Sequence, residues 1–348
     1  MTHDTPTCLL CGDPQQPSEY MYENAAALEE RGVEVRTMDW QADRSAAEFR
    51  EITMEMESRG PADYDDSAIR TNLDGVNYLV VHKAPVSAGL IEAADGLEVV
   101  GCARGGTENV DTDAAAASGV RVVHAPGRNA NAVADYALAT MLAHHRRVPF
   151  FDRTTSAGGW ELEFDPDRLP RDLTSLVVGV VGFGNVGRKV ARRLDGFGAD
   201  RLVHDPYVDD GAIEAEGATP ATLEELLERA DVVTLHVRLS AETRNLIGSE
   251  ELGRMRASAF VVNTARGGLI DEEALVDALE SGEIAGAALD VFEEEPLPEG
   301  HPLLGREDVT LSPHTAGSTR DAVLNGSRIV VEGIVSILDG EEPAHGLV

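Results

Sequence analysis

Along the chain, short apolar runs alternate with longer stretches in which apolar positions recur every three or four residues. The first pattern is that of strands buried on both faces of a parallel sheet, the second that of helices packed on it by one face. In the first third, 8–11, 33–38, 78–82, 98–102 and 121–124 read as strands, with helices near 19–31, 44–59, 87–94 and 111–118. A helix at 131–147 follows, with Asn131 as its N-cap and Asp135 in its first turn. The next segment, 150–171, is aromatic and polar without periodicity and reads as an arm or a dimer contact. Further strands are expected at 176–181, 232–235, 260–263, 287–289 and 309–311. Helical segments at 223–230, 249–255 and 271–281 lie between them, the first announced by the capping box Thr222 and Glu225. A last helix, 319–338, has no place in that second sheet and is expected to return to the first domain. The pattern therefore predicts two α/β domains, 1–127 plus 317–348 and 128–316, with a dimerisation helix and arm at about 130–171 in the second.

The junction of strand and helix at 176–206, LVVGVVGFGNVGRKVARRLDGFGADRLVHDP, carries the most specific signal. Gly182, Gly184 and Gly187 form G-x-G-x-x-G where the strand must turn into a helix. Val186, Val190, Leu194 and Phe197 then keep helical spacing, and Gly198 is placed to end it. A pyrophosphate fits against the first amides of such a helix, where unpaired N–H groups and the dipole attract an anion. A side chain at Gly182 or Gly184 is expected to hold the phosphates away, and one at Gly187 to push helix and strand apart. Asp205, 18 residues past Gly187, closes the next strand where an acid hydrogen-bonds a ribose 2′-hydroxyl. An acid there repels a 2′-phosphate, so the expected cofactor is NAD.

Composition narrows the class further. The chain of 348 residues is 43% hydrophobic with 34 glycines, which suits a soluble α/β protein of two domains. No apolar run approaches the ~18 residues of a membrane span, and the N-terminus lacks a signal sequence, so a cytoplasmic protein is expected. A net charge of −33 and a pI near 4.5 argue against nucleic-acid and anionic-membrane partners. The acids are dispersed, and lysine occurs only at Lys83 and Lys189. That surface suits high salt, where self-repulsion is screened over a few ångströms, and predicts a halophilic source. Cys8, Cys11 and Cys102 are too few for a disulfide framework, and the C-x-x-C lacks partners at zinc spacing, so no metal is expected.

The loops after the second domain's strands hold the unusual polar residues. HVRLSAETRNLIG follows 232–235, TARGG follows 260–263, DVFEEEP follows 287–289 and SPHTAGS follows 309–311. Arg266, Glu295 and His314 thus converge on the cofactor edge from three successive strand ends. Removing hydride from C2 of a 2-hydroxy acid needs a base for the hydroxyl proton and a cation for the carboxylate and the carbonyl. Histidine suits the proton exchange, and an adjacent carboxylate fixes its tautomer.

The segments VVGFGNVG, HVRLSAETRNLIG, VVNTARGGLIDEEAL, GAALDVFEEEP and LSPHTAGST, in order and at the expected spacing, resemble the D-isomer-specific 2-hydroxyacid dehydrogenase family. The resemblance spans about residues 75–335. It implies a doubly wound Rossmann NAD-binding domain and a smaller flavodoxin-like parallel α/β substrate domain. It also implies a dimer whose cleft between domains closes on substrate, with the helix from Asn131 and the arm bearing Trp160 at the dimer contact. Arg266 is implied to bind the substrate carboxyl and oxo groups, Glu295 to partner the histidine, and His314 to act as acid and base. Asn185 and Val186 are implied at the pyrophosphate, Asp205 at the adenosine ribose and Asp290 at the nicotinamide amide. Thr264, Ala265 and Ala316 line the same cleft, and His236 and Gly317 complete the cofactor set. Arg104, Gly105 and Gly106, with Arg266, form the implied substrate set.

Two departures from the family pattern bear on specificity. The substrate-domain loop usually carries its arginine just after the strand-terminal glycine; here Cys102 stands there and the arginine is Arg104. Arg238 replaces the usual proline after histidine–valine. Both read either as surface arginines or as cations for a second anionic group, a phosphate or further carboxylate; Lys83 raises the same question. The expected activity is NAD-dependent hydride transfer at C2 of a 3-phosphoglycerate-, glycerate- or glycolate-type acid. No appended regulatory domain is seen after the closing helix, which weakens a biosynthetic phosphoglycerate enzyme. The alternative is an NAD-sensing, co-repressor-type binding protein without turnover.

Overall fold

The computed structural model describes residues 5–162 and 169–348. The chain forms two compact units, Met1–Asn129 with Thr319–Val348, and Ala130–Ser318. Unit 1 begins β1 (Thr7–Gly12), α1 (Ser18–Tyr22), α2 (Ala26–Glu29), β2 (Glu34–Asp39), α3 (Ala46–Arg59), α4 (Ser67–Thr71) and β3 (Val76–Val81). It continues with α5 (Ala88–Ala93), β4 (Val99–Cys102), α6 (Thr112–Ala117) and β5 (Arg121–His124). Among the described residues its sheet has the order β2-β1-β3-β4-β5, with every pair parallel. All six residues of β1 are buried, while β2 at the edge is largely exposed.

Unit 2 opens with α7 (Ala130–His145) and α8 (Val148–Ser156). Then come β6 (Val177–Val181), α9 (Asn185–Gly196), β7 (Asp200–His204), α10 (Asp210–Glu214), β8 (Thr219–Pro220) and α11 (Leu223–Arg229). β9 (Val232–Leu235), α12 (Ser249–Arg254), β10 (Phe260–Asn263), α13 (Glu272–Ser281), β11 (Gly286–Leu289) and β12 (Val309–Leu311) complete it. Its described strands form one parallel sheet in the order β12-β11-β10-β9-β6-β7-β8. The order reverses between β6 and β9, and in such sheets ligands bind outside the carboxyl ends of the strands at that reversal. The last helix, α14 (Arg320–Leu338), is capped by the Thr319 side chain and packs in unit 1. Its Val330, Val331 and Ile334 share a core with Cys8, Leu10 and Val80. A Cβ on Gly101 would sit 2.2 Å from Val330 Cγ1 and one on Gly333 2.5 Å from Val123 Cγ1, so both glycines set how closely α14 lies on the sheet.

Three local expectations are corrected. The stretch 19–31 is two short helices, not one, although Met21, Ala25 and Leu28 remain buried at helical spacing. Asn24 lies at the break and donates its side-chain amide to Leu324 O at 3.1 Å and Ser327 Oγ at 3.0 Å, a tertiary use that competes with helix continuation. Asn131 is not an N-cap, because α7 starts at Ala130; Asp135 lies beyond the first turn and pairs with Arg193 at 2.6 Å. The segment from 150 is not irregular at its start, since α8 runs through it. That helix contains Pro149 at its first turn and has no buried residue. The part of the expected arm at 163–168 lies outside the described residues.

Cys8 and Cys11 are buried free thiols of β1, and desolvation pushes Cys8 up to about 12. Among the described residues no helix is long and apolar enough to cross a membrane, and no group of three His, Cys, Asp or Glu could hold a metal ion.

Candidate active site

The glycine loop sits at the reversal point of the unit 2 sheet. Gly182 has φ +93, which favours glycine, and a Cβ there would lie 2.8 Å from the His236 carbonyl oxygen. Its smallness is thus required by the neighbouring strand end, not by a ligand alone. A Cβ on Gly187 would come within 1.9 Å of Gly182 O, so that glycine lets α9 lie on β6. Gly184, the N-cap of α9, is exposed with open space where its Cβ would point. Asn185 is exposed and Val186 half-buried beside it. Asp205, just past β7, is half-buried. Its carboxylate accepts from Phe183 N at 2.7 Å and Tyr207 N at 2.9 Å, which ties the acid to the glycine loop.

The ends of β9 and β10 contribute two polar atoms without partners. His236 shares a hydrogen bond between Nε2 and Thr234 Oγ1 at 3.0 Å, and its buried Nδ1 has none among the described residues. Burial pushes this ring down to about 3, so it is neutral at any ordinary pH. Thr264 Oγ1 is likewise buried and unpartnered; Ala265 is half-buried, Ala316 buried and Gly317 half-buried. Open space over Gly184, unpaired first-turn amides, a tethered acid just past β7 and unpartnered polar atoms along the same edge fit a dinucleotide.

Arg266 follows β10 and is held by Asn263. The Asn263 side chain donates to Arg266 O at 2.8 Å and accepts from Ala265 N at 3.0 Å. A Cβ on Gly267 would sit 2.0 Å from the Phe292 carbonyl, so this glycine lets the arginine loop lie against the loop carrying Glu295. Arg266 is exposed and contacts Ala265 O at 2.7 Å, and among the described residues no carboxylate pairs with it. In a chain with 62 acids, an exposed guanidinium left unpaired is notable for its availability.

His314 follows β12 in the left-handed region, at φ +51. Asp290, fully buried, imposes that turn. Its carbonyl accepts from His314 N at 2.7 Å, and its carboxylate accepts from Ser312 Oγ at 2.6 Å, Thr315 N at 3.0 Å and Ala316 N at 2.8 Å. The Asp290 carboxylate is thus held by its own chain. His314 Nδ1 lies 2.8 Å from Glu295 Oε2, with the histidine side chain 41% exposed and the glutamate 13%. Glu295 Oε1 accepts from Phe292 N at 3.1 Å, which fixes the carboxylate. With Nδ1–H donated to Glu295, the Nε2 lone pair is the ring's remaining proton acceptor.

In unit 1, Arg104 is not a free cation. It pairs with Glu57 of α3 and lies 3.7 Å from Glu108. Its loop is pinned, because Asn109 Nδ2 donates to Ala84 O at 2.8 Å and His124 Nδ1 bonds Gly105 O at 2.8 Å. Gly105 is exposed, and Gly106 lies against the Glu108 carboxylate. Arg238, in unit 2, is exposed. Three features were not anticipated: Asn263 as the brace of Arg266, a buried His82–Asp13 pair, and Arg128. Asn263 could have been noticed as an amide ending an otherwise apolar strand.

The NAD-binding-domain model of the D-isomer specific 2-hydroxyacid dehydrogenases matches residues 138–316. A D-3-phosphoglycerate dehydrogenase of Archaeoglobus fulgidus is 39% identical over 262 residues, 75% of this chain and 49% of that protein. A glyoxylate reductase of Korarchaeum cryptofilum is 39% identical over 262 residues, 75% of this chain and 79% of the relative. The chain therefore spans about half the length of that phosphoglycerate dehydrogenase. The crystal structure of the TT0316 protein from Thermus thermophilus superposes with a TM-score of 0.73 at 33% identity, covering 98% of this chain and 100% of that one. The chain belongs to the D-isomer specific 2-hydroxyacid dehydrogenase family, and its unit 2 carries the family's NAD-binding domain.

Proposed function

We propose that this protein is an NAD-dependent oxidoreductase acting on the CH–OH group of a small D-2-hydroxy acid. The substrates foremost are of 3-phosphoglycerate, glycerate or glycolate type. The observation that carries the reading is His314, half-exposed, with Nδ1 committed to Glu295 at 2.8 Å on a loop that Asp290 locks in place.

NAD, when bound, takes or returns a hydride at its nicotinamide ring. The first amides of α9 and the space over Gly184 hold its pyrophosphate, and Asp205 takes a ribose hydroxyl and repels a 2′-phosphate. Arg266 pairs with the substrate carboxylate and stabilises negative charge on the C2 oxygen. As the C2–H bond gives up its electron pair, His314 Nε2 takes the hydroxyl proton, leaving a 2-oxo acid. Glu295 stabilises the imidazolium so formed and fixes the ring tautomer. In the reverse direction His314 returns that proton to the oxygen.

The protein works as a homodimer in a salt-rich cytoplasm. Support for the dimer comes from α8, which buries none of its own residues, and from Trp160 and Leu162, 80% and 62% exposed. The acidic surface supports the salt-rich setting. The test is a panel of glyoxylate, hydroxypyruvate and 3-phosphohydroxypyruvate with NADH and NADPH at low and multimolar KCl. Turnover with NADH, poor use of NADPH and stability that rises with KCl are expected. Tight NADH binding without turnover on any 2-oxo acid overturns the enzymatic reading in favour of a binding role.

A further inference from the structure

The unit 1 sheet has its own reversal point. In the order β2-β1-β3-β4-β5, β1 and β3 are the strands from which the chain proceeds in opposite directions, the position at which such sheets receive ligands. Asp13 follows β1 there, and His82 and Lys83 follow β3. Arg104 follows β4 and Arg128 follows β5, so the carboxyl ends of three adjacent parallel strands each present a cation.

The cations differ in how their charge is met. Arg104 is neutralised by Glu57 and Glu108. Lys83 Nζ reaches only Thr53 Oγ1 at 3.4 Å, and Arg128 donates to the Ala322 carbonyl at 3.0 Å; neither forms an ion pair among the described residues. The acid that acts on both is Asp13, whose carboxylate is already committed. It accepts from Lys83 N at 2.9 Å, Gln15 N at 2.9 Å and Gln16 N at 3.0 Å, and bonds the His82 ring at 2.9 Å. Glu57 is near Lys83 but is bound to Arg104. Cys102, also close, is buried and its thiol is pushed up to about 11, so it brings no charge. Burial, and after it repulsion from Arg104, lowers the pKa of both Lys83 and Arg128. Both side chains are half-buried, and a half-buried cation without a counter-ion among the described residues is costly and unusual in a chain carrying a net charge of −33.

We propose that the carboxyl edge of the unit 1 sheet is an anion-binding site in which Lys83 and Arg128, rather than Arg104, receive a phosphoryl or carboxylate group of a small metabolite. Arg104 holds the loop through Glu57 and Glu108. The group has two sources, a second anionic group on the 2-oxo acid that is reduced or a separate free anion. The first source rests on the function proposed above; the site itself does not.

The experiment uses the full chain at fixed ionic strength in KCl, with inorganic phosphate as the probe, because unmatched salt alone would screen the interaction. Phosphate is expected to raise the melting temperature saturably by about 2 °C or more in the native protein. Lys83→Met and Arg128→Met lose that rise, while Lys83→Arg keeps it. A native protein indifferent to phosphate, or a rise that survives in both methionine variants, overturns the site. Kinetics with NADH then separate the sources. If the anion belongs to the substrate, phosphate competes with 3-phosphohydroxypyruvate, and Lys83→Met lowers the ratio of its kcat/KM to that of glyoxylate at least tenfold. If phosphate stabilises without competing, the site stands and takes a free anion. Absence of turnover on every 2-oxo acid counts against the enzymatic function and leaves the phosphate result to decide the site.

Discussion

The two units each contain a histidine bonded through Nδ1 to a carboxylate at a strand end, at 2.8 Å for His314 with Glu295 and 2.9 Å for His82 with Asp13. The bond lengths do not distinguish them; access does. The His314 side chain is 41% exposed, whereas that of His82 is 4% exposed and its partner carboxylate fully buried. Burial pushes His82 down; burial alone would raise Asp13, but His82 and two backbone amides hold it down as well. His82 is thus a neutral ring donating to a charged acid, a fixed brace between β1 and β3 whose Nε2 is enclosed. His314 has the same orientation device but an open edge, which is what proton exchange with a ligand requires. A histidine–carboxylate pair is therefore no evidence of acid–base chemistry until its second nitrogen can be reached.

Substitutions should separate the two pairs sharply. Arg266→Met is expected to lower kcat/KM for 2-oxo acids by about 10²–10³-fold, the usual loss on removing one oxyanion-stabilising group, measured by steady-state kinetics with NADH. Glu295→Gln leaves the ring without its anionic partner, and a fall in kcat of roughly 10–100-fold is expected. A kcat within twofold of the native value would reduce Glu295 to a surface acid. His82→Leu acts elsewhere: by leaving a buried carboxylate short of a donor it should cost about 1–3 kcal/mol of stability. His314→Gln should change stability by less than ~0.5 kcal/mol. Thermal denaturation of both variants checks the contrast, and equal losses would erase it.

Acid should reveal two half-buried histidines of unit 2 in a similar way. Burial sets His236 at about 3 and His144 at about 4, against an ordinary 6.5. Both folded values lie below the unfolded one, so between them the unfolded chain binds more protons and stability rises with pH. The contribution is complete above about 6.5 and is lost as pH falls toward the folded values, about 2 kcal/mol per group by pH 5. His236→Asn should flatten the melting temperature between pH 7 and pH 5. An unchanged slope would show that His236 is solvated.

What the sequence disclosed and what it withheld follow from range. Apolar runs located the strands because the inner strands of a parallel sheet are buried on both faces, and loops after those runs marked Arg266, Glu295 and His314 because the topology sends them to one edge. The α8 helix was missed because it is short, nine residues, and lies in an aromatic and polar segment that buries none of them. Pairings between distant positions were invisible: Asp13 and His82 are 69 residues apart, and Glu57 and Arg104 are 47 apart. That second pairing decides the standing of Arg104, which the loop motif alone left as either a surface arginine or a cation for the substrate. Arg128 escaped notice because nothing in its local sequence says that it is half-buried beside a strand end. Asp290 was located by the resemblance, but only the hydrogen bonds of its carboxylate show that it shapes the His314 turn.

The central claim is that His314, oriented by Glu295, moves the proton while unit 2 holds the cofactor. Single-turnover reduction of glyoxylate by His314→Gln, with NADH affinity measured in the same preparation, tests it most directly. The account predicts a rate reduced by about 10²–10⁴-fold with NADH binding unchanged. A rate within tenfold of the native protein at equal NADH occupancy would contradict it.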